Sequence, residues 1–276
     1  MSISVKTNQS ALIALQNLNS TTDQLRDTQN QINTGLKVSS AKDNASVYAI
    51  AQKQRAEISS LSAVTDSLNR ASSIADVASA AGQSLSDLLN TMRQKVVSAM
   101  DPSLDATSRG LLNNDYKGLL RQIQQIVKNA TFDGANILNG SIAGGLQFIA
   151  DANATSFITL ASKNMSLGGP LIGMASTSSI STVTFATGVL SQLDSSITAV
   201  NSALADIGAA SNQISNHSTF VKKLTDSLTA GVGNLVDADM AAESAKLQAL
   251  QVQQQLGAQA LSIANQAPQI ILSLFK

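Results

Sequence analysis

From Leu61 to Val96 an apolar residue recurs at alternating steps of three and four: Leu61, Val64, Leu68, Ala71, Ala75, Ala78, Leu85, Leu89, Met92 and Val96. Gly82 fills the one remaining place. Heptad spacing of this kind keeps one seam of a helix against its neighbours as they coil together. The stripe is large at both ends and small from Ala71 to Gly82, where Ile74 and Val77 widen the face. Asp66, Asn69, Arg70, Asp76, Gln83 and Asp87 lie off it. At about 1.5 Å per residue the segment is a one-sided rod of roughly 50 Å. It needs partner helices to cover its seam.

Similar patterns flank it. A helix from about residue 5 to 33 carries Ala11, Leu15, Leu18, Thr22, Leu25, Gln29 and Ile32. Its two polar places suit register setting better than a deep core. Thr34-Gly35 ends it, with glycine in a capping position. Residues 36–44 form a polar connector, in which Lys42-Asp43 reads either as a solvated turn or as a contact between subunits. A second helix begins near Asn44 and runs into the long stripe, continuous or broken once. Asp101-Pro102 closes it. The next helix, with Leu112, Tyr116, Leu119, Ile123, Ile126 and Ala130, is the antiparallel partner of Leu85 to Val96.

From Thr131 the pattern changes. Phe132-Asp133-Gly134 and Leu138-Asn139-Gly140 are turn signals. Residues 146–149 and 157–160 read as a hairpin around Asp151-Ala152-Asn153, with 183–185 as a further strand candidate. The rest of 162–188 is Gly-, Ser- and Thr-rich loop, and the region is expected to form an outer tip. Helical spacing returns near Val189 with Leu193, Ile197, Val200, Leu204, Ile207, Ser211, Ile214, Ser218, Val221, Thr225 and Leu228. Gly231 and Gly233 mark a bend over 230–234.

The last helix starts at Asp237 or Asp239. One of its stripes is Val236, Met240, Leu247, Leu250, Leu261 and Ala264; the other is Ala242, Ala245, Ala249, Val252, Leu256 and Ile263. Glu243, Gln254, Gly257 and Gln259 interrupt them. Two seams imply two sets of neighbours. Pro268 bends or ends the helix before the apolar Ile270, Ile271, Leu272, Leu274 and Phe275, which expect a partner surface. The fold class is mainly α: long antiparallel helical hairpins and a terminal coiled coil, with a small β-hairpin-rich outer region.

Composition narrows the function. Lys plus Arg is 18 and Asp plus Glu is 18, and charged residues are 13% against a usual ~25%. Self-repulsion is therefore weak, which favours dense self-association and gives no basic face for nucleic acid. Aromatics are 3% and Trp is absent, so the apolar mass is aliphatic and small. With no cysteine there is no disulfide, thiolate nucleophile or cysteine metal site. No apolar signal core follows Met1 and no run reaches transmembrane length, so membrane insertion is not expected, and export would need a route without a cleaved hydrophobic signal. His217 has no companions at ligand spacing. Gly144-Gly145 and Gly168-Gly169-Pro170 lack the GxGxxG spacing. No enzyme, cofactor or metal is expected.

Two blocks carry a family likeness. Ala11-Leu12-Ile13-Ala14-Leu15-Gln16-Asn17-Leu18 and the run from Gln31-Ile32-Asn33-Thr34-Gly35 to Lys42-Asp43-Asn44 resemble the opening of bacterial flagellin. So do the turn at Phe132-Asp133-Gly134 and Leu138-Asn139-Gly140-Ser141. At the other end Asp237-Ala238-Asp239-Met240-Ala241, Glu243-Ser244-Ala245-Lys246-Leu247 and Ala264-Asn265-Gln266 with Pro268-Gln269 are similar to the family's close.

The resemblance implies a subunit of the extracellular flagellar filament, secreted through the flagellar type III apparatus and polymerising with itself and with paralogous flagellins. Its partners would be the filament cap, junction proteins and an export chaperone. Residues 1–43 and 233–276 would form the inner core, held by Leu15, Leu18, Leu25, Ile32, Val236, Met240, Leu247, Leu250 and Leu261. Residues 44–130 and 189–232 would form the outer tube, packed through Leu61, Val64, Leu68, Ala71, Ala75, Ala78, Leu85, Leu89, Met92, Leu193, Ile197, Val200 and Leu204. Residues 131–188 would be the small tip. Thr91-Met92-Arg93-Gln94-Lys95 departs from the family's Arg-Val-Arg-Glu-Leu run, which implies weak recognition by the innate immune receptor that reads it. The alternatives are the hook–filament junction protein, which shares the terminal architecture, and a secreted coiled-coil translocator or binding protein.

Overall fold

The computed structural model describes residues 7–273, with side chains through residue 266. The elements in order are α1 (Gln9–Thr34), α2 (Ala45–Ala99), α3 (Ala106–Asn129), β1 (Leu146–Ile149), β2 (Phe157–Leu160), α4 (Val183–Val236) and α5 (Met240–Ser273). The chain divides into two compact units, residues 1–56 with 227–276, and residues 57–226.

In the first unit α1 and α5 pair antiparallel. Asn8 caps α1 by accepting from the Ala11 N–H at 3.1 Å, and its Nδ2 donates to the Ala264 carbonyl at 2.7 Å. Gly35, at φ 71°, ends the helix. Its carbonyl accepts from Ala238 N–H at 2.9 Å, and Lys37 N–H donates to Val236 O at 2.8 Å, so the two connectors hold each other. Asp239 caps α5 through the Ala241 and Ala242 N–H groups.

The covered line of α1 is Ala11, Ala14, Leu18, Thr21, Leu25, Thr28 and Ile32. The expected line shares Ala11, Leu18, Leu25 and Ile32 but takes Leu15, Thr22 and Gln29 between them. Steps of three-then-four and four-then-three coincide at every seventh residue, and hydrophobicity alone chose the larger Leu15. The helix pair instead favours small intermediate residues, which let the backbones approach: a Cβ on Gly257 of α5 would stand 3.3 Å from Leu18 Cδ1. Gly231 and Gly233 do not break the helix, because α4 stays helical to Val236. Of the two expectations for Pro268, bending or ending α5, the second fails, because the helix runs to Ser273; Leu274 and Phe275 lie outside the described residues.

In the second unit α2 and α4 run antiparallel, joined by Ser86 to Asn201 at 3.0 Å and Arg93 to Asp194 at 2.7 Å. The polypeptide turns at residues 100–105, where Arg109 Nε donates to Ala99 O and its Nη2 to Asp101 O, both at 2.9 Å. That guanidinium caps the C-terminal carbonyls of α2. Lys95 then meets Asp115 of α3 at 2.8 Å. On α3 the buried line is Tyr116, Leu120, Ile123 and Val127, one residue on from Leu119 and Ile126. α4 begins at Val183, not as a strand, because Thr182 accepts from Phe185 N–H with its hydroxyl and from Ala186 N–H with its carbonyl. The cap overrides the β preference of Val183-Thr184-Phe185.

β1 and β2 pair antiparallel, with Leu146 opposite Leu160 and Ile149 opposite Phe157. This is the small β-hairpin region expected between the long helices. Ile149 N–H donates to Ser67 Oγ at 3.1 Å, and Ala150 O lies 2.6 Å from His217 Nε2, so the hairpin lies along α2 and α4. From there the chain runs back beside the helices, with Gly173 N–H on Ser196 Oγ and Ile180 N–H on Asn113 Oδ1 at 2.8 Å. A four-residue hairpin is too small to be stable alone, and the helices supply its covering surface.

Candidate assembly interface

The residues expected to pack the long helices lie in the core of the second unit. Leu61, Val64, Leu68, Ala71, Ala75, Ala78, Leu85, Leu89, Met92, Leu193 and Val200 are buried. Ile197 and Leu204 are half-buried, and the smaller Ser196 and Ala203 beside them are covered instead.

The terminal helices differ. Leu25, Leu250 and Val236 are buried, and Leu18, Ile32, Leu247 and Leu261 are half-buried. Leu15 and Met240 are each 43% exposed. The second stripe of α5 is largely open: Val252 is 56%, Leu256 59% and Ile263 68% exposed. Leu12 and Ile13 on α1 are also open. One pair of helices can bury one line on each, and both of these carry more apolar surface than that. No charged residue occurs from Thr7 to Thr22 or from Leu247 to Gln266. An exposed apolar face without charge is a surface made to be covered.

Within the second unit the exposed large apolar residues fall into two groups. Val97, Leu111, Val183 and Phe185 lie near the α2–α3 turn, and Phe132, Phe157 and Phe220 lie toward the hairpin. Ion pairs Arg93–Asp194 and Lys163–Asp206 occupy the stretch between.

The α1–α5 seam holds a polar cluster. The Gln31 amide faces the Glu243 carboxylate, and the orientation that satisfies both groups turns its nitrogen to Oε2 at 3.1 Å and Oε1 at 3.2 Å; Lys246 lies 3.3 Å from the same carboxylate. The Thr28 hydroxyl is fully buried, with no hydrogen-bond partner among the described residues.

In the 36–44 connector Asp43 Oδ2 accepts from Ser40 N–H at 2.8 Å, Ser39 Oγ at 3.0 Å and Ser39 N–H at 2.9 Å. These donors hold the carboxyl below the usual carboxylate range. Asn44 caps α2 through Val47 N–H. Lys42-Asp43 is thus a turn built by its own serines.

Sequence reading missed three organising side chains. Asn136 donates from Nδ2 to Val127 O at 2.7 Å and accepts at Oδ1 from Leu138 and Asn139 N–H. Asn113 receives the returning chain at Ile180, and Arg109 caps α2. Asn136 just past a helix end was the one visible signal, since asparagine there commonly serves the orphan carbonyls. Among the described residues no group of three or more His, Asp or Glu is placed to hold a metal ion, and no helix is long and apolar enough to cross a membrane.

Comparison with known proteins gives the same picture at both ends of the chain. Residues 5–143 match the family model for the bacterial flagellin N-terminal helical region, and residues 190–275 match that for the C-terminal helical region. Flagellin FljJ of Caulobacter vibrioides is 52% identical over 278 residues, covering 100% of this chain and 99% of that protein. FljM of the same organism is 48% identical over 273 residues, covering 99% and 98%. The flagellin of Brucella melitensis is 37% identical over 281 residues and covers 99% of both.

Proposed function

The chain belongs to the bacterial flagellin family, and from that membership we propose how its two units divide the work of building a filament. The protein is a structural, non-catalytic subunit of the extracellular flagellar filament and serves swimming motility. It polymerises with itself and with paralogous flagellins. Residues 1–43 and 233–276 are the inner core of the polymer. Residues 44–130 and 189–232 are the tube around it, and 131–188 covers the outer side of that tube.

The observation that carries this division is the contrast between the units. The second unit buries its own stripe, so it is a finished core. The first leaves Leu15, Met240, Val252, Leu256 and Ile263 open on uncharged helices. Other copies of the chain occupy these faces, and the ordering cost of the terminal helices is met as they are covered. The two apolar ends of the second unit suit head-to-tail contact between copies, a heterologous arrangement that continues indefinitely. The filament cap, junction proteins and an export chaperone are its further partners.

Electron microscopy of the purified protein, seeded with its own sheared filaments, tests the reading. Long tubes that grow from the seeds are expected. Small closed particles from intact chains would favour the junction or translocator class instead.

A further inference from the structure

Asn139-Gly140 is the one Asn-Gly step in the chain, and its surroundings are arranged for reaction. Asn139 Oδ1 accepts from Ser141 N–H at 2.9 Å and from Ser141 Oγ at 2.6 Å. Gly140 holds φ at 76° and presents no side chain beside its amide. Among the described residues neither the Gly140 N–H nor Asn139 Nδ2 is engaged by a protein group. Asn139 is half-buried and Gly140 exposed, so solvent reaches the step. Asn136, three residues earlier, is the opposite case: buried, with Nδ2 held by Val127 O.

We propose that Asn139 is a self-modification site, at which the folded chain converts its own asparagine to aspartyl and isoaspartyl forms. The Gly140 amide nitrogen attacks Asn139 Cγ, and its proton passes to solvent base. Charge develops on Oδ1, where the Ser141 N–H and O–H already point; preorganised donors lower the barrier at the atom that becomes negative. Nδ2 takes a proton from water and leaves as ammonia, closing a five-membered imide. Water then opens the imide at either carbonyl. The sum is asparagine plus water to aspartate plus ammonia, with no oxidant or reductant.

The two products differ in fit. An aspartate keeps both Ser141 bonds, now to a carboxylate, which strengthens them. An isoaspartate adds a methylene to the backbone between Leu138 and Gly140. It strains the ties that fasten this turn to the returning chain, Met165 N–H to Leu138 O at 2.7 Å and Ser166 Oγ to Asn139 O at 3.2 Å. Each conversion gives one negative charge to a chain whose formal net charge is 0. In a polymer of many copies, that charge marks the age of the subunit.

The test is peptide mass mapping of the native chain during incubation at mildly alkaline pH. Asn139→Asp serves as the product standard, and a parallel sample is unfolded in guanidinium. Conversion at 139 is expected to run faster folded than unfolded. Ser141→Ala should slow it about tenfold in the folded chain only, the effect of one lost hydrogen bond. Ser141→Thr should restore it. A folded rate no higher than the unfolded one, or a Ser141→Ala variant that folds and converts at the original rate, would overturn the proposal.

Discussion

Gly82 of α2 and Leu204 of α4 share one space. A methyl group on Gly82 would stand 2.6 Å from Leu204 Cδ2 and 3.2 Å from its Cγ. The missing side chain is what lets the leucine of the antiparallel helix lie across the small middle of the seam. Gly82→Val is expected to destabilise the second unit by about 1–3 kcal/mol through overpacking. Gly82→Ala gains up to about 1 kcal/mol of helix propensity and loses part of it to the shifted leucine. Denaturant melts of Gly82→Ala, Leu204→Ala and the double variant form a cycle in which the two changes compensate; simple additivity would contradict the shared contact.

Most of this second unit was legible in the sequence because its pattern is redundant. Every position of the stripe from Leu61 to Val96 is buried, including Gly82, and both strands fall where alternation placed them. The α1 seam was harder. Leu15 and Ala14 are equally consistent with contacts at Leu18 and Leu25, and only the partner helix selects the smaller one. The placement of the hairpin was not legible at all. It depends on contacts far apart in sequence, Ile149 with Ser67 and Ala150 with His217, that no local pattern encodes.

Thr28 offers a gain of stability. Its hydroxyl is buried and unpaired among the described residues, whereas Thr21 and Thr22 on the same helix bond the carbonyls four residues back. Thr28→Val keeps the shape and removes the unsatisfied group. A gain of about 1 kcal/mol in the α1–α5 pair is expected, read as greater protection of α1 amides in hydrogen exchange. Lower protection in Thr28→Val would show that the hydroxyl has a partner in solution.

Asn136 should be costly to replace. Its side chain answers three backbone groups at the end of α3 and the start of the returning loop, at Val127, Leu138 and Asn139. Asn136→Ala leaves them without that partner, at about 1–3 kcal/mol. Asn136→Asp keeps the acceptor, loses the donor to Val127 and adds a charge, so it should be no better. Chemical denaturation of the three proteins side by side gives the ranking.

Stability should fall at both extremes of pH, for different reasons. Serine and threonine donors hold Asp43, Asp101, Asp105 and Asp151 below the ordinary carboxylate range. A depressed folded pKa stabilises the protein above the unfolded value of about 3.9. That contribution is lost as pH drops through the folded values. Tyr116 is the alkaline counterpart: burial pushes its hydroxyl up to about 12. The raised folded value leaves stability intact below about 10 and removes it as pH climbs toward the folded value. Tyr116→Phe should therefore extend the alkaline limit and leave the acid limit unchanged, as followed by circular dichroism across a pH series. An unchanged alkaline limit would remove Tyr116 from that role.

The central claim is that other copies of the chain cover the second stripe of α5. Leu256 lies in the middle of that stripe, 59% exposed, at the open edge of the cleft between α1 and α5. The most direct measurement is a pelleting assay on Leu256→Glu against the unaltered chain, seeded identically and matched for helicity by circular dichroism. Loss of pelleted filament with unchanged monomer helicity is the expected result. Filament yield equal to that of the unaltered chain would contradict the claim, because an unpaired carboxylate cannot be buried at a subunit contact without a large penalty.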